Sequence, residues 1–578
     1  MYKYSKHKQR NTVVCDEWLG VNYTDDMCGI NTATESVNFV KSKKGGIEKR
    51  KGIKADPIEY TDAVYGVHIY TDGADEIRLV HSGKNLYCGN AVICADMAQS
   101  RSKSVQYGKY LFITDGERFV CYDGDSVKPM GENPYIPLIY THRKPAGGGE
   151  RAESPNIFTA LVREGFISDG QSTQYVLSRT GLVSDSVSCT VYRDDGTSYT
   201  VTNGDGLSVN TAAGIVTFSS APPLSRATDR DNVIITYTSN AKTDVSVLNK
   251  CRRIFAFGEG GSKSRLFLSG NEYYPGVIWY SQPGNPMYFG SDCIIDTHTA
   301  DVTAFSTRGD RLFAHANLSD SRGCIAVIAA DGGGFKVINV TEGECTFADT
   351  VATPGAEPMF LTKGGVYAIE KNSATLENFT LKRGEGLDGR LAEIDFNSAC
   401  AAAFKGAYIL AAGRDMYVLK DNLLWRLNFP INISLLFREG GSLKMVSDDG
   451  KIYGFGADRT DFENTPVQAV WRTGRLFSNN INVHKITLWA KTLNRGEIAV
   501  CLSGDRYSSV IKFIPSDFSY FSFEKLIFTA LNFSVFSPSR AATKGVNLRG
   551  THSLYFELLS ERGGCEIKRL SADISEVK

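Results

Sequence analysis

The residues of this 578-residue chain that could carry out chemistry are few and widely spaced. The Gly-rich segment Phe257–Ser264 looks like a phosphate-binding loop, which needs Gly-x-x-x-x-Gly-Lys-Ser/Thr between a strand and a helix. The Gly that should precede Lys263 is missing, and Arg265–Leu268 after it has the pattern of a strand. We therefore predict a β-hairpin turn here and no nucleotide site.

Metal-binding and catalytic sequence patterns are also missing. The 8 histidines form no His-x-x-x-His or His-Glu-x-x-His pair, and the 13 cysteines form no Cys-x-x-Cys pair, so neither a zinc site nor a disulfide framework is expected. The acidic pairs Asp194-Asp195 and Asp448-Asp449 each precede a Gly, where turn formation explains them. No catalytic residue, metal or cofactor is predicted, and we do not expect an enzyme.

One aromatic cluster has two interpretations. Tyr273–Tyr280 contains three tyrosines and a tryptophan, and Pro286–Phe289 follows it closely. Aromatic faces at such a spacing make either a sugar-stacking surface or a packing joint between sheets. We favour the packing joint.

The elements that must hold these residues are predicted to be strands. The 56 glycines and the abundant Tyr and Phe favour short strands and tight turns. Lys+Arg and Asp+Glu are both 64, and zero net charge argues against a protein that mainly coats nucleic acid or an anionic membrane. No apolar run approaches the roughly 20 residues that span a bilayer, and no signal peptide is recognisable at the N-terminus. The composition predicts an all-β chain.

A short repeat runs through much of the sequence from about residue 62. A polar residue and a Gly form a turn, and an aromatic-rich strand follows. Later copies start at Gly309, Gly364, Gly406 and Gly450, at intervals of 55, 42 and 44 residues. A four-stranded propeller blade takes roughly 40 to 50 residues, so we predict a β-propeller. An ordinary meander or sandwich with Gly turns is the alternative.

Other patterns interrupt and flank the repeat. Tyr140–Gly149 reads as a linker, and short strands over 155–240 predict a β-sandwich inserted into the propeller. A composition shift near Thr465-Pro466 predicts a closing β-domain. The predicted organisation is an extended N-terminal arm at 1–60, first propeller blades at 61–150, the inserted β-sandwich at 151–245, remaining blades at 246–464 and a C-terminal β-domain at 465–578.

The N-terminal arm carries motifs that resemble a known family. Trp18-Leu-Gly-Val-Asn22, Glu35-Ser-Val-Asn-Phe39 and Glu48-Lys-Arg-Lys-Gly-Ile53 follow one another. This order resembles the tail nozzle proteins of short-tailed bacteriophages (tubular tail protein B) and the related packaged-DNA stabilisation proteins. In those proteins the arm runs into Arg-Pro-Gly, and here Arg50-Lys51-Gly52 takes that place without the proline. Arg265–Asn271 resembles a blade motif of the same proteins.

The resemblance implies a structural virion protein. Such nozzles are rings, commonly hexameric, that lie below the portal and adaptor and close the channel that retains packaged DNA. The resemblance implies a homo-oligomer that contacts the portal-adaptor complex and tail fibre proteins, with DNA passing through without sequence-specific binding. It also implies no membrane insertion and a place in the phage tail of the virion, after assembly in the host cytoplasm.

The arm supplies the candidate assembly residues. Because an extended arm cannot bury a core alone, we expect residues 11–55 to lie against a neighbouring subunit or the adaptor ring. The candidates are Trp18, Asn22, Asn38, Phe39, Lys49, Arg50, Lys51 and Gly52.

Two other function classes stay open. One is a receptor-binding or baseplate tail protein that recognises host surface glycans through aromatic loops. The other is a propeller enzyme such as a glycan hydrolase, which would need two facing carboxylates.

Overall fold

A computed structural model describes residues 8–226, 230–240, 243–258, 264–316, 324–341, 346–371, 378–462, 464–493, 496–518 and 539–577. The chain divides into two compact units, one made of the residues up to 67 with those after 343, the other of residues 68–343. The predicted fold class is confirmed: the chain is all-β, with seven small sheets that are the blades of a β-propeller, an inserted β-sandwich and a C-terminal β-domain.

The segment predicted to be an extended arm contains five short strands. They are β1 (Lys8–Cys15), β2 (Ala33–Val37), β3 (Phe39–Lys41), β4 (Ile47–Lys49) and β5 (Ile53–Ala55).

Two four-stranded antiparallel blades follow. Gly108, with φ of 59°, makes the turn between the first two strands of the second blade, as the repeat predicts. The strands are β6 (Val64–Asp72), β7 (Asp75–Ser82), β8 (Asn85–Cys88), β9 (Ala91–Cys94), β10 (Lys103–Tyr107), β11 (Tyr110–Thr114), β12 (Phe119–Tyr122) and β13 (Val127–Pro129).

The inserted domain is one nine-stranded sheet in the order β15-β14-β16-β22-β18-β19-β20-β21-β17. The sheet curls over its own core, because the rings of Phe166 and Tyr175, from strands far apart in this order, meet at 5.4 Å. Its strands are β14 (Leu138–Arg143), β15 (Glu150–Arg151), β16 (Leu161–Phe166), β17 (Gln174–Val176), β18 (Ser188–Tyr192), β19 (Ser198–Asn203), β20 (Gly206–Asn210), β21 (Ile215–Phe218) and β22 (Val233–Thr238).

The linker predicted at 140–149 is partly wrong. Residues 140–143 belong to β14, which pairs in parallel with β16, and Arg143 is buried against Glu164 with Nε and Oε2 3.1 Å apart. Of residues 140–143 only Arg143 is buried, and its ion pair with Glu164 satisfies its charge inside the domain.

Two further blades complete residues 68–343. The strand Arg265–Ser269 (β24) forms an antiparallel pair with Arg253–Phe257 (β23), so the strand predicted after the Gly-rich segment is confirmed. Residues 259–263 of that segment lie outside the described residues. The elements are α1 (Ser246–Asn249), β23 (Arg253–Phe257), β24 (Arg265–Ser269), β25 (Val277–Tyr280), β26 (Ile294–Asp296), β27 (Val302–Arg308), β28 (Arg311–Ala316), β29 (Ile325–Asp331) and β30 (Gly334–Thr341).

Three more blades belong to the other unit. The turn Lys405-Gly406 has positive φ at both residues (51° and 73°), which suits a tight two-residue hairpin. The strands are β31 (Met359–Thr362), β32 (Gly365–Lys371), β33 (Asn378–Arg383), β34 (Cys400–Phe404), β35 (Ala407–Ala412), β36 (Asp415–Lys420), β37 (Leu423–Asn428), β38 (Ile433–Glu439), β39 (Ser442–Ser447) and β40 (Ile452–Phe455). Single-turn 3₁₀ helices occupy Ser184–Ser186 and Ala348–Thr350, and a longer one Glu385–Glu393.

The C-terminal β-domain is built on a ten-stranded sheet with three long strands, of 21, 18 and 14 residues, side by side at its centre. Residues 519–538, between α2 (Pro515–Phe518) and β47 (Arg540–Ser560), lie outside the described residues. The elements are β41 (Thr460–Asp461), β42 (Thr465–Pro466), β43 (Ala469–Thr473), β44 (Leu476–Leu493), β45 (Ile498–Gly504), β46 (Ser508–Phe513), α2 (Pro515–Phe518), β47 (Arg540–Ser560) and β48 (Gly564–Val577).

The N-terminal strands are part of this same unit. β1 and β4 pair with β48, β2 pairs with β43, and β5 pairs with β40 to complete the last blade. The arm was expected to need a neighbouring subunit because it cannot bury a core alone. This premise is corrected, because the apolar residues of the arm pack with those of the C-terminal sheet of the same chain. Free strand edges expose unpaired N–H and C=O groups, and pairing within the chain satisfies them.

Candidate assembly site at the N-terminal strands

Arg50 is the centre of the candidate assembly site. Its guanidinium makes a two-pronged ion pair with Asp461, with Nη1–Oδ1 and Nη2–Oδ2 distances of 2.8 and 2.7 Å. The side chains are 3% and 6% exposed, so the pair is shielded from water. The guanidinium also lies 4.4 Å from the centre of the Phe429 ring. An ion pair this buried needs further hydrogen bonds to offset its desolvation.

Asn38 supplies part of that support. Its Oδ1 accepts hydrogen bonds from Arg50 Nε and from the backbone N–H of Asn428, both at 2.8 Å. Its Nδ2 donates to the carbonyl of Gln468 at 2.7 Å. Asn38 has a φ of 61°, a conformation that Asn tolerates better than most residues. One amide therefore joins the β2–β3 corner to β37 and to the chain just before β43.

Gly52 is required by a close backbone approach. A Cβ at this position would lie 1.8 Å from the carbonyl oxygen of Thr460, far inside any real contact distance. The N–H of Ile53 donates to Asp461 Oδ1 at 3.0 Å, so the same carboxylate that binds Arg50 also fixes the start of β5. Arg50 and Gly52 thus belong to a buried junction within one chain, while Lys51 between them is exposed.

Three more candidates lie in the core beside the C-terminal sheet. Trp18 donates from Nε1 to the carbonyl of Lys568 at 3.0 Å and meets Trp471 edge-on at 5.3 Å. Phe39 and Lys49 are fully buried. Lys49 Nζ donates to the carbonyl of Ser560 at 3.0 Å, and burial lowers the pKa of Lys49 to about 8. These contacts explain the residue types without a second subunit.

The structure therefore brings most of the candidates together, but inside the chain. Of the eight, only Asn22, which is half-buried, and Lys51, which is exposed, present side chains at the surface of the described residues. Contact of the arm with a neighbouring subunit stays a prediction, and these two residues are the ones available to make it. Sequence reasoning missed Asp461, because no local pattern links it to Arg50.

The aromatic cluster divides between the two interpretations. Trp279, Tyr280, Tyr288 and Phe289 are buried and pack within and beside the sheet of β23–β26, as a packing joint requires. Tyr273 and Tyr274 instead remain 62% and 47% exposed.

The residues that the structure describes contain no metal-binding cluster, no membrane-spanning helix and no disulfide. Within them, no group of three or more His, Cys, Asp or Glu side chains is placed to hold a metal ion. No helix in this part of the chain is long and apolar enough to cross a membrane. Twelve cysteines are described, and each is a free thiol.

No family model matches this chain, and no curated protein matches it by sequence. Solved structures with some likeness include BamB from Moraxella catarrhalis, at 10% identity and a TM-score of 0.30, over 71% of this chain and 98% of that one. An exo-β-1,3-galactanase from Phanerochaete chrysosporium has 7% identity and a TM-score of 0.23, over 55% and 95%. A putative 6-phosphogluconolactonase from Bacteroides fragilis has 12% and 0.23, over 60% and 82%. Likeness at this level says nothing about function.

Proposed function

We propose that this protein is a structural component of a phage tail, a nozzle that forms a ring around the DNA exit channel and attaches to the portal-adaptor complex. The observation that carries the proposal is the junction at Arg50. The residues that resemble the nozzle family meet there, and they tie the N-terminal strands to the last blade and to the C-terminal sheet. The mechanism is architectural, with no bond chemistry.

A ring that retains packaged DNA must resist outward force, and the junction supports that task. The chain's first and last strands pair over eight residues, from Lys8 with Val577 to Cys15 with Leu570. Peeling either end away would break this ladder of backbone hydrogen bonds. Ring closure itself would use heterologous contacts between neighbouring copies.

Imaging tests this proposal directly. The purified chain is examined by negative-stain electron microscopy, alone and mixed with a portal-adaptor complex. A closed ring with a central channel that caps the adaptor is expected. A monomer that ignores the adaptor would contradict the proposal.

A surface variant tests the arm without unfolding it. Lys51→Glu reverses the charge of an exposed candidate, and Lys43→Glu, also exposed on the N-terminal segment, is its matched control. If the arm contacts a neighbour through Lys51, only Lys51→Glu should weaken ring formation. Deleting residues 11–55 would be uninformative, because those strands belong to the chain's own sheet.

A second candidate function is a receptor-binding or baseplate tail protein that recognises host glycans. The exposed ring of Tyr274, beside the buried Trp279, favours it. Binding on a glycan array without association with the adaptor would support this candidate over the nozzle.

A further inference from the structure

A pocket of about 570 Å³ lies within residues 68–343, between the inserted sandwich and the sheet of β23–β26. That volume suits a small ligand. The residues that matter for its chemistry are Arg179, Asp244, Tyr274, Val277, Trp279 and Ile294.

One wall of the pocket is aromatic. Tyr274 meets Trp279 edge-on, with ring centres 5.8 Å apart and an interplanar angle of 86°. Trp279 is buried, whereas nearly half of Tyr274 is exposed. Tyr274 therefore offers an apolar surface to a ligand, and Trp279 fixes the angle of its ring.

The loop that carries Tyr274 is anchored before any ligand arrives. The Tyr274 N–H donates to the carbonyl of Asn271 at 3.1 Å. The buried Asn271 side chain donates from Nδ2 to the carbonyl of Val247 at 2.8 Å. At the far side of the loop, Thr297 Oγ1 donates to the Gly276 carbonyl at 2.7 Å. A wall fixed in this way loses little entropy when a ligand binds.

Arg179 brings a positive charge to the same pocket. It is half-buried, and its guanidinium makes no hydrogen bond or ion pair with any residue that the structure describes. A guanidinium has five N–H donors, arranged to match a carboxylate. Asp244 is exposed at the pocket, and its Oδ1 accepts from the N–H of Ser246. Its carboxylate can also accept hydrogen bonds from hydroxyl groups.

We propose that this pocket binds a sugar that carries a carboxylate, such as a uronic acid residue of a glycan. The apolar face of the ring lies on Tyr274, the carboxylate accepts hydrogen bonds from Arg179, and a ring hydroxyl donates to Asp244. An apolar ligand would leave Arg179 unpaired, and a neutral sugar would not use its charge. The inference requires no ring and does not rest on the nozzle proposal; it names a ligand class for the second candidate function.

The test is a titration of the full chain by calorimetry with methyl glucuronide, and with methyl glucoside as the neutral sugar of the same shape. Saturable binding of the glucuronide is expected, with the glucoside at least about tenfold weaker, because a charged hydrogen-bonding partner is lost. Arg179→Gln should remove most of that preference, while Tyr274→Ala should weaken both sugars.

The matched control is Tyr273→Ala. It removes the neighbouring exposed tyrosine, which does not line the pocket, so glucuronide affinity should not change. The circular dichroism spectrum and melting temperature of each variant show whether it is folded. Lack of saturation with glucuronide, equal affinity for both sugars, or wild-type preference in a folded Arg179→Gln variant would each overturn the proposal. None of these results depends on whether the chain forms rings.

Discussion

Replacing Asp461 with Asn should destabilise the unit that contains the N-terminal strands by about 3–5 kcal/mol. The substitution keeps the size of the side chain and removes its charge. Arg50 is then left as a buried cation with no opposite charge, since its side chain is 3% exposed.

The magnitude follows from the contacts of the carboxylate. Asp461 accepts two hydrogen bonds from Arg50 and a third from the Ile53 N–H. Asn can present only one acceptor oxygen, and its amide N–H groups would face the donors of Arg50. Removing one partner of a buried pair costs far more than removing an exposed pair, because the remaining charge stays desolvated.

Hydrogen exchange followed by mass spectrometry is the appropriate assay. The chain has two compact units, so a single melting temperature does not report one two-state transition. Peptides that cover β2, β3 and β5 report the site directly. Their protected amides should exchange faster in Asp461→Asn, by the factor that corresponds to the lost free energy of unfolding.

Two further variants make the reasoning refutable. Lys485→Gln removes an ion pair with Asp573 whose side chains are 51% and 37% exposed, so it should cost at most about 1 kcal/mol. The double variant Arg50→Met/Asp461→Leu replaces the buried pair with apolar groups and should recover much of the loss. A cost below about 1 kcal/mol for Asp461→Asn, or a double variant no more stable than the single one, would refute the argument.

Two other predictions concern pH and backbone fit. Burial lowers the pKa of both His68 and His315 to about 3, below the unfolded value of about 6.5. Below about pH 6.5 the unfolded chain therefore binds more protons than the folded chain. When the full chain is unfolded in urea, the free energy of unfolding of the unit at residues 68–343 should fall as the pH is lowered from about 6.5 to 3. The expected slope is up to about 1.4 kcal/mol per pH unit for each histidine. His68→Gln should flatten this slope, and an unchanged slope would count against the burial argument. Gly52→Ala should cost more than about 1 kcal/mol because its Cβ would collide with the Thr460 carbonyl. Gly454→Ala, which has open space around its Cβ, is the control in the same hydrogen-exchange assay, and equal loss of amide protection in the two variants would contradict the collision.

The sequence by itself determined the fold class and its repeating unit. Glycine turns followed by short apolar strands predict antiparallel meanders, because a turn type and a period of two are local properties of the backbone. The hairpin strand at Arg265–Ser269, the inserted sandwich and the C-terminal β-domain followed from the same local signals.

Only the tertiary structure decided which strand edges pair. The period of a strand tells which side chains share a face, but every backbone edge offers the same N–H and C=O groups, so it does not name the partner. For that reason Trp18 was expected at a subunit contact and instead donates to the carbonyl of Lys568, and Arg50 finds Asp461. The pocket of Arg179 and Tyr274 arises in the same way, since an inserted domain and a blade meet there through contacts that no local pattern encodes.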